Sequence, residues 1–231
     1  MGVEVFPDAV WAERVASRLG DKINTGNRLC LATGSTPSPI YHRVAETVSL
    51  DGMAVFLLDE FGGLEVGDPG RCASMLTRDL IEASRGSPVV HVPDVDAEDP
   101  WAAASRYGKL IGAGGIDLAI VGLGANGHVG MNEPGTSIDQ RTRVVDLHPA
   151  TSNAALAYGA AVAPTWGITV GMAELMEATE IWVLVAGGHK TGILNRALHG
   201  PVDPEVPASF LTEHDNCVFL VDESAHLTGA S

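Results

Sequence analysis

The sequence predicts an α/β fold of the doubly wound kind, a mainly parallel sheet with helices on both faces. Three observations predict it. Short, nearly continuous apolar runs such as Leu118-Ala119-Ile120-Val121 and Val183-Leu184-Val185 suit strands buried on both faces. Other stretches place apolar residues at helical spacing, as in Val10, Trp11, Val15, Leu19 and Ile23. The two kinds alternate with short connections, and repeated β-α-β order implies parallel pairing.

Taken in order, residues 2–6 read as a first strand and 9–23 as a helix, with Asp8 placed to cap it. Strands follow at 28–32 and 53–58, then a helix at 74–83, a strand at 89–92 and a helix at 100–111. The central strand is 116–121. After it come a helix near 170–177, a strand at 181–185, a helix at 190–198 and a strand at 217–221. There is no internal repeat, low-complexity segment or evident linker. A single Rossmann-like domain over residues 1–231 is the expectation.

Composition excludes several classes of function. The chain has 14 Lys plus Arg against 29 Asp plus Glu, a formal charge of −15. Nucleic acid is an unsuitable partner, because its binding rests on basic patches that neutralise phosphates. The same field repels anionic small molecules, so any such substrate must be held by local features. No apolar run approaches the ~18 residues needed to span a bilayer. The opening MGVEVFPDAV lacks the basic and apolar regions of a signal peptide. Cys30, Cys72 and Cys217 are far apart and not in CxxC pairs, which fits neither a disulfide framework nor a zinc site. A cytoplasmic protein is expected.

The chemistry concentrates after the central strand, in Asp117 to Gly135, DLAIVGLGANGHVGMNEPG. Glycines just past a strand let the backbone turn tightly and approach a ligand. Asn126, His128, Asn132 and Glu133 are interleaved with them. Gly122-x-Gly124-x-x-Gly127 also matches the dinucleotide fingerprint formally, and Asp146 falls roughly 20 residues on. That fingerprint must open a helix. Gly130, Pro134 and Gly135 argue against one here. A plain Gly-rich turn with a solvated histidine is the bland alternative.

Three further motifs bear on a ligand. Thr33-Gly34-Ser35-Thr36-Pro37 lies between a strand and a helix, an arrangement that gathers N–H groups, hydroxyls and a positive helix end around an anion. It is not a Walker P-loop, since the GK[ST] ending is absent. An ordinary capped helix would look the same. Asp59-Glu60 ends the third strand; alternation sends one side chain to each side, and Asp59 is the choice for the crevice. Both could instead be a solvated strand end. Lys190 begins a helix, the unfavourable end for a cation unless an anion lies beside it.

Together and in this order, Thr33-Gly34-Ser35-Thr36-Pro37, Leu58-Asp59-Glu60-Phe61 and Gly122 to Gly135 resemble the glucosamine-6-phosphate deaminase family. Ile168-Thr169-Val170-Gly171, Gly187-Gly188-His189-Lys190 and Pro207-Ala208-Ser209-Phe210-Leu211 fit it too. The resemblance implies conversion of glucosamine 6-phosphate and water to fructose 6-phosphate and ammonia, with no metal or redox cofactor. It maps the enolising base onto Asp59, and ring opening onto His128 and Glu133, with Asn126 beside them. Phosphate binding falls to Gly34, Ser35, Thr36 and Lys190, with Arg141 and Arg143 as further candidates. The related 6-phosphogluconolactonases share the early turn and a Gly-His loop but are expected to lack Asn-Glu-Pro-Gly, here residues 132–135. A non-catalytic sugar-phosphate-binding module has no need of Asp59, His128 and Glu133 together.

The chain departs from the family twice. A lid near residues 147–165 is expected, yet 151–159 hold no basic residue where members carry a phosphate-clamping arginine. Val145 stands where allosteric members are expected to have a lysine. The partner is a small sugar phosphate, with a homo-oligomer left open.

Overall fold

In the computed structural model, residues 1–226 are described. Seven strands form one parallel sheet: β1 (Gly2–Phe6), β2 (Arg28–Leu31), β3 (Ala54–Leu57), β5 (Val89–His91), β6 (Leu118–Gly122), β9 (Glu180–Val185) and β10 (Cys217–Asp222). Their spatial order is β1-β10-β9-β6-β2-β3-β5, and every neighbouring pair is parallel. The remaining strands, β4 (Asp59–Phe61), β7 (Arg143–Asp146) and β8 (Trp166–Thr169), make a separate antiparallel sheet in the order β4-β8-β7.

Strand side chains alternate faces, and that period builds two cores. Leu29, Leu31, Val55, Leu57, Leu118, Ile120 and Leu184 pack on one face with apolar residues of α1 (Trp11–Lys22), α2 (Ser38–Thr47) and α3 (Cys72–Leu76). Cys30, Phe56, Ala119, Val121, Val183 and Phe219 pack on the other. Their partners lie on α4 (Pro100–Gly112), α6 (Met172–Met176) and α7 (Thr191–His199). Helices cover both faces, as the sequence predicts. Two short helices complete the set, α5 (Pro149–Ala157) and α8 (Glu223–His226). Among the described residues, no helix is long and apolar enough to cross a membrane.

The structure departs from the sequence expectations in four places. Asp8 does not cap α1: the chain first closes a turn from Val10 N–H to Pro7 O, so the helix starts at Trp11, beyond Asp8's reach. Asp8 instead accepts from the backbone N–H and the hydroxyl of Ser224. The helix expected at 74–83 begins at Cys72 and widens into a π turn at Thr77–Ile81. The strand expected over 53–58 is interrupted. Leu58 N–H still donates to Leu31 O at 2.9 Å, but Leu58 O accepts from Val170 N–H at 2.8 Å, and the chain leaves the parallel sheet as β4. The antiparallel sheet has no counterpart in the sequence analysis, because its strands are three and four residues long and have no apolar run.

Strand order increases outward from β2 through β3 to β5 on one side and from β6 through β9 to β10 on the other. The winding therefore reverses between β6 and β2. Ligands of open α/β sheets bind beyond the carboxyl ends of the strands at such a reversal.

Candidate active site

A cavity of about 420 Å³ opens at that reversal. Residues after β2 (Thr33, Ser35, Thr36, Pro37), β3 (Asp59, Phe61), β6 (Leu123 to Asn126, His128, Gly130, Met131) and β9 (Lys190) supply most of its wall. Ala150, Thr151 and Ala154 of α5, with Tyr158 just past it, close one side. The volume suits one small ligand.

Asp59 and Glu60 leave β3 in opposite directions, and neither is a solvated strand end. Glu60 is fully buried and turns away from the cavity. Its carboxylate accepts backbone N–H bonds from Phe61 (2.8 Å), Cys72 (2.9 Å) and Ala73 (2.9 Å), fastening β4 to the start of α3. Asp59, 9% exposed, faces the cavity with one side-chain donor, the Cys72 thiol at 3.3 Å from Oδ1. Burial pushes the Asp59 carboxyl up from 3.8 to about 6, against the opposing pull of that thiol and of His128. Burial likewise moves Glu60 from 4.5 to about 7 despite its N–H bonds. Burial and the Asp59 charge hold the Cys72 thiol well above its ordinary value, so it stays protonated and can donate.

The loop after β6 forms no helix before Pro149, so the dinucleotide fingerprint is a formal match only. Its glycines serve close approach. Gly127 and Gly130 have φ of 93° and 59°, and a Cβ on Gly124 would lie 2.4 Å from the His128 ring. A Cβ on Gly130 would sit 3.1 Å from Oδ2 of Asp59. The turn thus lays imidazole and carboxylate against bare backbone in one small volume.

Behind His128 stands Glu133. Its Oε2 accepts from the Asn126 amide at 2.9 Å and lies 3.4 Å from His128 Nδ1. That approach is within ion-pair range, but Nδ1 has no aligned hydrogen bond among the described residues. Oε1 accepts from the Thr151 hydroxyl on α5. Asn126 Oδ1 also accepts from the His128 N–H at 3.1 Å, holding the turn. Burial raises Glu133, but His128, Thr151 and Asn126 outweigh it and bring the carboxyl from 4.5 down to about 2. Glu133 is an anion across the working range of pH.

The other end of the cavity is suited to an anion. Ser35, Thr36 and Pro37 line it at the start of α2, where hydroxyls and helix N–H groups converge. Lys190 is the one lysine or arginine in the wall among the described residues; burial lowers its pKa, and its ammonium donates to Leu123 O. Gly34 is not in the wall. Its φ of 107° turns the chain, and a Cβ there would meet the Tyr158 hydroxyl at 2.9 Å. Arg141 and Arg143 are committed elsewhere: Arg141 to Glu177, and Arg143 to Asn132 Oδ1 (2.9 Å) and Thr136 Oγ1 (3.3 Å).

Fold and cavity together define a class, Rossmann-like α/β proteins with an anion-type turn and paired acid–base side chains at the sheet reversal. The family is identified by comparison. The sequence profile described as glucosamine-6-phosphate isomerases/6-phosphogluconolactonase matches residues 8–220, and the chain belongs to that family. It is 39% identical to a glucosamine-6-phosphate deaminase of Rhodopirellula baltica, over 96% of this chain and 94% of that one. The deaminase of Shewanella loihica is 37% identical, over 85% and 77%. Among solved structures, a monomeric glucosamine-6-phosphate deaminase matches with a TM-score of 0.87 and 29% identity, covering 97% of this chain and 98% of that one. The 6-phosphogluconolactonase of Thermotoga maritima matches with a TM-score of 0.76 and 21% identity, covering 96% and 99%, a likeness of fold.

Sequence analysis missed Thr151 and Cys72. Thr151 lies 18 residues beyond Glu133 in a segment notable only for lacking a cation, and Cys72 gave no signal beyond redox context. Cys72 generates a prediction. Cys72→Ala removes the only side-chain donor to Asp59 among the described residues and should raise that carboxyl further, whereas Cys72→Ser, a stronger donor, should lower it. Carbon NMR of the Asp59 carboxyl against pH reads both. Identical midpoints in all three proteins would contradict the thiol's role.

Proposed function

We propose that this chain is a glucosamine-6-phosphate deaminase, converting glucosamine 6-phosphate and water to fructose 6-phosphate and ammonia. The observation that carries the proposal is the meeting, in one cavity wall, of a buried Asp59, with no lysine or arginine bonded to it among the described residues, and His128 and Asn126, with Glu133 behind the imidazole. Hydrolysis of a lactone needs no base for a carbon acid. Aldose–ketose isomerisation does.

The residues divide the work as follows. The sugar lies with its phosphate against Ser35, Thr36 and Lys190, in a bend shaped by Gly34. His128, oriented by Glu133 and Asn126, takes the proton from O1 and returns one to the ring oxygen, opening the ring. A carboxylate behind an imidazole stabilises its charged form and fixes its orientation. Asp59 then removes the C2 proton, giving an enolamine (the nitrogen counterpart of an enediol) as O1 takes a proton from the C2 ammonium, and delivers the abstracted proton to C1. The C2 iminium that results adds water and expels ammonia. Residues 147–165, with α5 at their centre, serve as a lid that excludes bulk water. Its cavity side presents Ala150, Thr151, Ala154 and Tyr158 in place of a cation, so Lys190 supplies the only charge toward the phosphate among the described residues.

Ammonia release measured across a panel of hexosamine 6-phosphates tests the reaction. Glucosamine 6-phosphate should be consumed with little hydrolysis of 6-phosphogluconolactone; rapid lactone hydrolysis without ammonia would overturn the proposal. The rate should also carry an acid limb. Asp59 acts only as the anion, and its raised pKa delays ionisation, so kcat/KM should climb through about pH 6. A limb near 3.8, the ordinary value, would contradict the effect of burial.

Lys190→Ala should chiefly raise KM. A phosphate remote from the reacting carbons is bound alike in ground and transition states, and loss of a charge-assisted contact costs roughly 1.5–3 kcal/mol, about 10- to 150-fold. Unchanged kinetics would place Lys190 outside the binding site.

A further inference from the structure

The carboxylate of Glu133 is gripped from two separate parts of the chain. Oε2 belongs to its own loop, shared between the Asn126 amide at 2.9 Å and His128 Nδ1 at 3.4 Å. Oε1 belongs to α5, through the Thr151 hydroxyl. Thr151 is 7% exposed, in a helix otherwise rich in alanine. Beyond the other end of α5, Ala161 N–H donates to Asp68 Oδ2 at 3.1 Å, and a Cβ on Gly70 would sit 2.4 Å from the Ala160 side chain. Thr151 is therefore the side-chain tie between the cavity-facing helix and the loop that carries His128. A carboxylate held at both oxygens cannot rotate to meet Nδ1 squarely, which fits the unaligned 3.4 Å contact.

We propose that Thr151 is a positioning residue: its hydroxyl pins the Glu133 carboxylate, so the alignment of His128 depends on α5 being seated over the cavity. With α5 seated, Glu133 steadies the imidazole without a full hydrogen bond, and the ring is left free to exchange its proton with the sugar. With Thr151 withdrawn, Glu133 can turn and hold the imidazolium tightly. The inference deepens the deaminase proposal and rests on it for the meaning of His128. Glu133 from its own loop stands against that ring, and Asp59 from β4 and Lys190 from the turn before α7 are the charged groups that share the cavity wall with it. Of these three, only Glu133 is hydrogen-bonded to the Thr151 hydroxyl.

The test is an NMR titration of the His128 ring in the full chain without substrate, so its outcome is separate from that of the ammonia assay. Thr151→Val keeps the branched shape and removes the hydroxyl, Thr151→Ala removes both, and Thr151→Ser restores the donor. The Val and Ala variants should both move the His128 midpoint upward by about half a pH unit or more, the scale of one neutral hydrogen bond. Ser should return it to the parent value. In turnover, Val should lower kcat several-fold with KM nearly unchanged, since Thr151 does not reach the phosphate end. An unmoved midpoint in both the Val and Ala variants would overturn the inference, whatever happens to stability, and would reduce Thr151 to a packing residue of α5.

Discussion

An ionisable carboxylate placed where burial favours its neutral form is the constraint on which the rest of this site depends. Asp59 opens β4 just past the end of a buried strand of the parallel sheet, with no lysine or arginine bonded to it and with a thiol as its only side-chain donor among the described residues. A charge in such surroundings is expensive unless it is paired or used. The neighbouring structure keeps that expense from being relieved. The backbone N–H groups of Phe61, Cys72 and Ala73 nearby are taken up by Glu60 and not by Asp59. Leu58 is bonded on both sides, to Leu31 and Val170, so the strand end cannot swing outward. Gly130 removes the one Cβ that would crowd Oδ2. A carboxyl near 6 is ionised at neutral pH yet basic enough to take a proton from carbon.

The second carboxylate shows the opposite solution. Glu133 is also partly buried, but three polar partners converge on it and it falls to about 2. Two carboxylates in one small region are thus driven apart by what surrounds them, the usual sign of divided acid–base roles. The sheet order makes this convergence possible. Loops after β2, β3, β6 and β9, far apart in sequence, end side by side because the winding reverses between β6 and β2. In a chain with an excess of negative charge, the anion end of the cavity is lined by hydroxyls, a helix start and Lys190.

Much of this was legible in the sequence, for a physical reason. Strands buried on both faces must be apolar throughout, and β6, β9 and β10 could be read directly as runs. A loop that must bring backbone against side chains needs glycine, so Gly124, Gly127 and Gly130 marked the site. Alternation along the strand end separated Asp59 from Glu60. What could not be read depended on contacts between distant segments. The strands β4, β7 and β8 are too short and mixed in polarity to announce themselves. A helix cap by Asp8 was plausible locally, but its carboxylate accepts instead from Ser224, more than 200 residues away. Thr151 and Cys72 acquire meaning only from the carboxylates they face, and no spacing rule connects a hydroxyl on one helix with a glutamate on another loop.

The most direct measurement of the central claim is exchange of the C2 hydrogen of glucosamine 6-phosphate in deuterated water, comparing the parent chain with Asp59→Asn. The amide keeps the shape of the side chain and cannot accept the proton. If Asp59 is the enolising base, exchange should fall by roughly 10²–10⁴, the usual contribution of a positioned general base, while an open-chain amino-alditol phosphate still binds. Exchange at near the parent rate in Asp59→Asn would contradict the role of this carboxylate, and the mechanism with it.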